Sequence, residues 1–295
     1  NYSWNFDISK TFANEVRKES ENTTIIFGGP NYDLGTSEVN KFWNENNSYV
    51  DFYIVKEGEK AFLNLIERLF EYKFKKELLK SAKQKLGNVH YFFEENIYIG
   101  DTLSRVDINE IPSPYLLGLM DKFFDNKLIP MIHTTRGCPF SCSFCTEGSN
   151  YFNIVSQRNN QLEQEIKYIS KKIGKTKDLF ISDANFGMYK QDYEKAKILV
   201  NCQKKFNYPK HIHVSTGKNQ KERVVSIAKS LNGAINMAAS LQSTDVEVLK
   251  NISRSNISLD QLSEIGKEAN SKNTGTYSEI ILGLPGDTKQ SHFKT

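Results

Sequence analysis

The stretch TTRGCPFSCSFCTEG, residues 134–148, places three of the chain's four cysteines, Cys138, Cys142 and Cys145, within eight residues. Gly137 admits an unusual φ just before Cys138, and Pro139 biases Cys138 toward an extended backbone, so the three thiols belong to a loop. The preceding PMIHTT, residues 130–135, is β-prone. The loop therefore leaves the C-terminal end of a strand, which is where parallel α/β barrels carry their chemistry.

Spacings of four and three let a compact loop turn all three thiolates toward one centre. Three ligands are one short of a closed tetrahedral zinc site. Cys202 is a poor fourth: it stands four residues from both Ile198 and Phe206, on the apolar face of the helical pattern DYEKAKILVNCQKKF, and reads as a small buried hydrophobe. His133 lies along the strand and stays a candidate zinc ligand. A four-iron cubane can be held by three thiolates, leaving one iron open to a substrate or cofactor. On these residues alone zinc, a reactive thiol and an iron–sulfur site all remain open.

Downstream, β-prone segments begin near Met131, Leu179, Ile212, Ile235 and Tyr277, separated by helical patterns. Leu162, Ile166, Ile169 and Ile173 line one helix face; Val224, Ile227, Ala228 and Leu231 line another. Thr244 with Glu247, and Ser258 with Gln261, have capping-box spacing and start two more helices. Five strand–helix alternations without an antiparallel insertion predict parallel strands with right-handed crossovers, closing as a barrel or half-barrel. The chain stops at GDTKQSHFKT, inside the helix after the fifth strand, so the barrel is expected to be incomplete.

Upstream, TTIIF (23–27) and DFYIV (51–55) are β-rich runs, each followed by a glycine-bearing turn and a helical pattern. Phe62, Leu65, Ile66, Leu69 and Phe70 share one face of the second helix. This repetition predicts part of a doubly wound parallel sheet. A lysine-rich segment and then VHYFFEENIYIG suggest a helix and a small hairpin around Glu95 and Asn96. The segment NEIPSPYLLG, residues 109–118, marks a linker.

The bulk numbers exclude several classes. With 39 Lys and Arg against 35 Asp and Glu, the net charge is only +4 and the basic residues are scattered, which gives no case for nucleic acid. No apolar run reaches the roughly 18 residues of a membrane span, and NYSWNFDISK has neither the basic start nor the apolar stretch of a signal peptide. Crowded cysteines argue against a secreted disulfide scaffold and for a reducing, cytoplasmic setting. A first residue Asn1 in place of Met reads as a piece of a longer protein.

The run Cys138-Pro-Phe-Ser-Cys142-Ser-Phe144-Cys145 resembles the C-x-x-x-C-x-aromatic-C signature of the radical S-adenosylmethionine (SAM) superfamily. The resemblance covers residues 105–295: LFISDANFG is similar to the superfamily's second strand end, SLQS to the fourth and ILGLPGDT to the fifth. It implies an α/β fold with a partial (βα)6 barrel. It also implies that the three cysteines bind a 4Fe-4S cluster whose open iron takes the amino and carboxylate groups of SAM. By the same resemblance Phe144 helps seat the adenine, and an electron from the reduced cluster cleaves SAM to a 5'-deoxyadenosyl radical. A reductant such as flavodoxin or ferredoxin is implied as partner.

Smaller expectations attach to other strand ends. Asp183 and Asn185 either face substrate or the SAM ribose, or form an ordinary cap or turn. Gln242 and Ser243 are placed to reach SAM's polar groups, although Ser243 can equally precede the Thr244 cap. Ser215 and Lys218 lie beyond the third strand, as a polar turn or as a SAM carboxylate contact. Gly283, Pro285 and Gly286 are expected to let backbone approach the adenine. Arg254 is either a SAM carboxylate partner or a solvated arginine.

IIFGGP with VDFYIVKEGEKAF resembles the latter half of the Rossmann-like cobalamin-binding domain fused ahead of many radical SAM barrels. Gly28 and Gly29 would then lie close to the corrin's nucleotide tail. The D-x-H-x-x-G segment of such domains is absent, so cobalamin is an expectation for the full-length protein. The implied division is a partial cobalamin-binding-like domain over 1–75, a linker with helix and hairpin over 76–120, and a barrel over 121–295, truncated before its sixth strand.

The expected function is cobalamin-dependent methylation or rearrangement of an unactivated carbon in a small molecule, lipid or peptide. The alternatives are a radical SAM enzyme without cobalamin and a zinc-stabilised, non-catalytic binding module.

Overall fold

The computed structural model describes residues 1–217, 219–238, 240–255 and 276–295. The chain divides into two compact units, Asn1–Val106 and Asp107–Thr295.

In the first unit, helices α1 (Phe6–Glu19), α2 (Thr36–Asn46), α3 (Glu59–Glu71) and α4 (Lys76–Ser81) pack on a sheet. Its strands are β1 (Ile26–Gly28), β2 (Phe52–Ile54), β3 (Val89–Phe93) and β4 (Asn96–Ile99), in the order β1-β2-β3-β4. β1 and β2 are parallel, Ile26 opposite Phe52; the remaining pairs are antiparallel. The central β2 is buried throughout because helices cover both faces. Tyr53 and Val55 join Trp43, Val39 and Phe27 on one side, while Phe52 and Ile54 join Leu65, Leu69 and Leu79 on the other.

Two expectations change here. The hairpin assigned to a linker is β3 and β4, and it extends the sheet: β3 pairs with β2, and the buried Glu57 accepts from the Arg105 Nε at 2.9 Å and the Val106 amide at 3.1 Å. The structural unit accordingly runs to Val106. Helix α3 buries the narrower line Ala61, Leu65 and Leu69, leaving Phe62 and Phe70 48% and 72% exposed.

A buried polar chain crosses this unit. The Trp43 Nε1 donates to the Tyr32 hydroxyl at 2.9 Å, and that hydroxyl pairs with the His90 Nδ1 at 2.9 Å. Burial, with the Lys56 cation adding to it, lowers the His90 pKa to about 4. An unfolded histidine titrates near 6.5. Between those values only the unfolded chain takes the proton, so stability present above pH 6.5 is lost as pH falls toward 4. His90 is the one histidine in residues 1–106, and both tryptophans lie there too. The urea midpoint followed by tryptophan fluorescence should fall between pH 7 and 4.5, and His90→Gln should flatten that slope; an unchanged slope in the variant contradicts the assignment.

In the second unit the parallel strands β5 (Met131–Ile132), β8 (Asp178–Phe186) and β9 (His211–Thr216) form a sheet in that order. A parallel bridge from Ile212 to Ile235 leads on toward β10 (Met237–Ala238), which pairs in parallel with β11 (Thr276–Tyr277). Helices α5 (Leu162–Lys172), α6 (Asp192–Phe206), α7 (Lys221–Ser230) and α8 (Val246–Asn251) separate the strands, and Lys289–Lys294 forms a last helix. The expected five-strand partial barrel is present.

Strand β9 alternates exposed and buried residues strictly, which is how one sheet face meets helices while the other lines a lumen. Ile166 and Ile169 of α5, Leu179 and Ile181 of β8, and Leu199 and Cys202 of α6 meet in the core between sheet and helices. Fully burying each such side chain contributes roughly 1.5–3 kcal/mol. Cys202, 2% exposed, takes the expected place of a small hydrophobe.

The parallel pattern has one interruption that sequence periodicity missed. β6 (Thr135–Arg136) pairs antiparallel with β7 (Ser156–Gln157), closing the neck of the long cysteine loop. Two-residue strands carry no readable alternation. The cap of α8 is Asp245, accepting from the Glu247 and Val248 amides at 3.0 and 3.1 Å, in place of the expected Thr244. The Ser258–Gln261 start and Lys218 lie outside the described residues. Among the described residues no helix is long and apolar enough to cross a membrane.

Candidate functional site

The loop over residues 137–155 is built by close backbone turns. Gly137 has φ +98°, open to glycine and strained for other residues, as it leaves β6. The Cys138 amide donates to the Phe152 carbonyl at 3.0 Å, extending the neck, and the Cys145 amide donates to the Cys142 carbonyl at 3.0 Å. Gly148 closes over Cys142 so tightly that an added Cβ would lie 2.2 Å from the Cys142 oxygen. The Ser143 amide fastens the loop to the end of α8 through the Ile252 carbonyl at 3.1 Å. Cys138 and Cys142 are buried, Cys145 is half-buried, and Phe144 is exposed beside it.

Strand β8 grips this loop from below. Both oxygens of the buried Asp183 are engaged: Oδ1 accepts from the amides of Thr134 at 2.7 Å and Thr135 at 3.0 Å, and Oδ2 accepts from the Thr134 hydroxyl. Asp183 thus holds the root of the loop from 48 and 49 residues away. Two residues on, the Asn185 Nδ2 lies 3.2 Å from the Cys138 Sγ.

A second clamp comes from α6. Asp192, fully buried, accepts from the amides of Gly187 at 2.8 Å and Tyr189 at 3.0 Å, and its other oxygen pairs with the Lys195 ammonium at 3.0 Å. Lys195 also donates to the Thr135 Oγ1 at 2.5 Å and to the Gln157 side chain, one from each strand of the neck. Sequence reading missed this pair. An aspartate and a lysine three apart on a helix look like a solvated surface pair, and only tertiary burial distinguishes them.

The remaining candidates divide. Ser215 lines a cavity of about 620 Å³ on the lumen face, with Ser182, His213, Asn236 and Tyr277. Gln242 is buried with φ +67°, fixed by its amide on the Glu279 carbonyl at 2.8 Å. The Ser243 hydroxyl accepts from the Asp245 amide at 3.1 Å, just before α8. Arg254 is buried, not solvated: its Nη1 lies 3.9 Å from the Cys142 Sγ and its Nη2 donates to the Ser240 carbonyl.

Gly283 has φ +76° and open space beside it. The Pro285 carbonyl accepts from the Asn251 Nδ2 at 3.1 Å, which anchors that turn to α8. In the first unit the Gly28 carbonyl accepts from the Asn1 amino group, and Gly29 has φ +97° at the end of β1.

Does this arrangement suit the implied groups? Among the described residues, no three Cys, His, Asp or Glu side chains converge as ligands of a single ion. A cubane asks for something wider, with thiolates at separate corners, and the donor set is the soft sulfur that iron–sulfur clusters take. Buried polar atoms without a partner among the described residues also lie here: the Asn185 Oδ1, the Gln242 Oε1 and the Tyr189 hydroxyl. Burial first, then the negative fields of Cys138, Asp192, Asp183 and Glu147, raise the Tyr189 phenol, so it stays a donor. Buried orphans of this kind need an explanation, and a bound polar cofactor is one. The residues fit.

The radical SAM superfamily model matches residues 132–294, more than half of the chain. The chain belongs to the radical SAM superfamily. This superfamily works with a 4Fe-4S cluster and SAM.

The chain is 31% identical to the cobalamin-dependent radical SAM methyltransferase TokK of Streptomyces tokunonensis. It is 32% identical to the 2-(S-pantetheinyl)-carbapenam-3-carboxylate methyltransferase of Streptantibioticus cattleyicolor. Each alignment spans 98% of this chain and 42% of the relative, so the chain spans less than half the length of these curated relatives.

Among solved structures, the radical SAM methyltransferase TsrM of Kitasatospora setae, with tryptophan and a SAM analogue bound, superposes at a TM-score of 0.66 with 13% identity. That match covers 96% of this chain and 54% of TsrM. The cobalamin-dependent radical enzyme OxsB, with aqua-cobalamin and SAM bound, gives 0.66 and 16%, over 94% and 39%. At these identities the likeness establishes the fold: a partial radical SAM barrel preceded by a Rossmann-like unit.

Proposed function

We propose that this chain is part of a cobalamin-dependent radical SAM methyltransferase that acts on an unactivated carbon of a small molecule. The observation that carries the reading is the alignment of 98% of the chain, both units included, with two relatives named as methyltransferases, one of them cobalamin-dependent. In this reading Cys138, Cys142 and Cys145 hold the cluster. When bound and reduced, the cluster supplies the electron that cleaves SAM to the 5'-deoxyadenosyl radical.

The chain's own residues do the rest by placement. Asp183 and the Asp192–Lys195 pair keep the loop root and neck rigid, because a ligand set displaced by about 1 Å loses its geometry. The orphaned Gln242 Oε1 orients a polar group of SAM. The cavity of about 620 Å³, lined by Ser182, His213 and Ser215, falls within the usual size of small-molecule sites and offers polar groups to orient a substrate. In the full-length protein Gly28 and Gly29 would lie against cobalamin, and a flavodoxin or ferredoxin would supply the electron for the cluster.

The test uses full-length protein purified anaerobically and supplied with SAM labelled in its methyl group. Retained cobalamin and label transferred to a carbon of the product are expected. SAM cleavage without cobalamin and without label transfer overturns the methyltransferase reading in favour of a radical SAM enzyme that does not use cobalamin.

A further inference from the structure

We infer that Asn185 is a positioning residue for the cluster's first ligand, and that its hydrogen bond to Cys138 sets the cluster's reduction potential. The inference rests on the proposal that Cys138, Cys142 and Cys145 hold the cluster.

The geometry is specific. Asn185 is 2% exposed and Cys138 4%, and the Nδ2–Sγ separation is 3.2 Å. A thiolate carries no proton and can only accept, so the carboxamide presents its N–H and leaves Oδ1 as the orphaned atom. Asp183 and Asn185 are alternate residues on one face of β8, where the strand's register with β9 shifts between Ile181 and Phe186. One strand therefore grips the loop backbone with a carboxylate and its first thiol with an amide. The Asn185 carbonyl is in turn fixed by the Met188 amide at 3.2 Å. The three thiols differ in surroundings, since Cys142 faces the Arg254 cation and Cys145 is half-buried.

A donor aimed at a cluster thiolate interacts more strongly with the reduced state, which carries one more electron. Burial excludes the water that would otherwise compete. The bond therefore raises the potential, and its loss makes the cluster harder to reduce. Asn185→Ala removes the donor, while the isosteric Asn185→Asp removes it and adds negative charge. The midpoint should fall in the order wild type, Asn185→Ala, Asn185→Asp.

The experiment is a redox titration followed by electron paramagnetic resonance on anaerobically reconstituted full-length protein, with iron content and the KM for SAM measured on the same preparations. At a poise that reduces half of the wild-type cluster, the reduced-to-oxidised ratio of Asn185→Ala should drop about three- to tenfold, the size of one ordinary net hydrogen bond. The KM for SAM should stay within about twofold. Iron-replete variants with an unmoved midpoint overturn the inference, and a raised KM for SAM beside that unmoved midpoint would assign Asn185 to SAM. Should Asn185→Ala lose its iron, the isosteric Asn185→Asp decides. A wild-type protein that takes up no iron removes the ligand assignment, and with it this inference.

Discussion

Replacing Cys138, Cys142 or Cys145 with alanine abolishes reductive cleavage of SAM, whereas Cys202→Ala leaves it nearly intact. In the proposed reading three protein ligands hold the cluster and one iron is reserved for SAM, so no ligand is redundant and each single loss falls on the cluster itself. Cys202 is different in kind. It lies in the core among Ile169, Leu199 and Ile212, and burial pushes its thiol above the ordinary range, which suppresses the thiolate that a metal would need. The variant costs about 1 kcal/mol of stability, the scale of a small buried group. Formation of 5'-deoxyadenosine by the four variants of the full-length protein checks this, and loss of cluster in Cys202→Ala would show the odd cysteine misassigned.

Asp183→Ala has the next largest effect. It leaves the Thr134 amide, the Thr135 amide and the Thr134 hydroxyl without their acceptor, and both threonines are buried. Each orphaned buried donor costs about 1–3 kcal/mol, so a loss of about 3–5 kcal/mol is expected after partial relaxation. Because Cys138 follows Thr134 by four residues, iron retention falls together with the denaturation midpoint. Both are read on one sample, by urea unfolding and by iron content after gel filtration. Wild-type stability and iron with a raised KM for SAM would mean that Asp183 faces the cofactor.

The sequence is informative where period or spacing carries the signal. The strands β5, β8 and β9 and the bridge at Ile235 follow from apolar runs separated by helical stripes. The cysteine loop follows from Gly137, Pro139 and the strand before them. What escapes is whatever depends on the third dimension. The neck pair β6–β7 is too short for alternation to show. The hairpin β3–β4 reads as a separate piece because nothing local tells which strand it will join, and its turn is made by Glu94 and Glu95, both with positive φ, in place of the Asn-Gly that signals such a turn.

Side-chain roles divide in the same way. Asp183 and Asn185 stand out as polar residues at a strand end, yet whether they face a cofactor or the loop beneath it depends on the lateral distance to Thr134 and Cys138. Tyr189, Asp192 and Lys195 lie in GMYKQDYEKA, a stretch that resembles any solvated helix start. Their burial is set by the loop packing over them.

Anaerobic reconstitution of the full-length protein, followed by iron, sulfide and zinc analysis, tests the central claim most directly. About four irons and four sulfides per chain are predicted, as a 4Fe-4S cluster requires. Stoichiometric zinc with no iron would contradict it and return the three cysteines to a structural site.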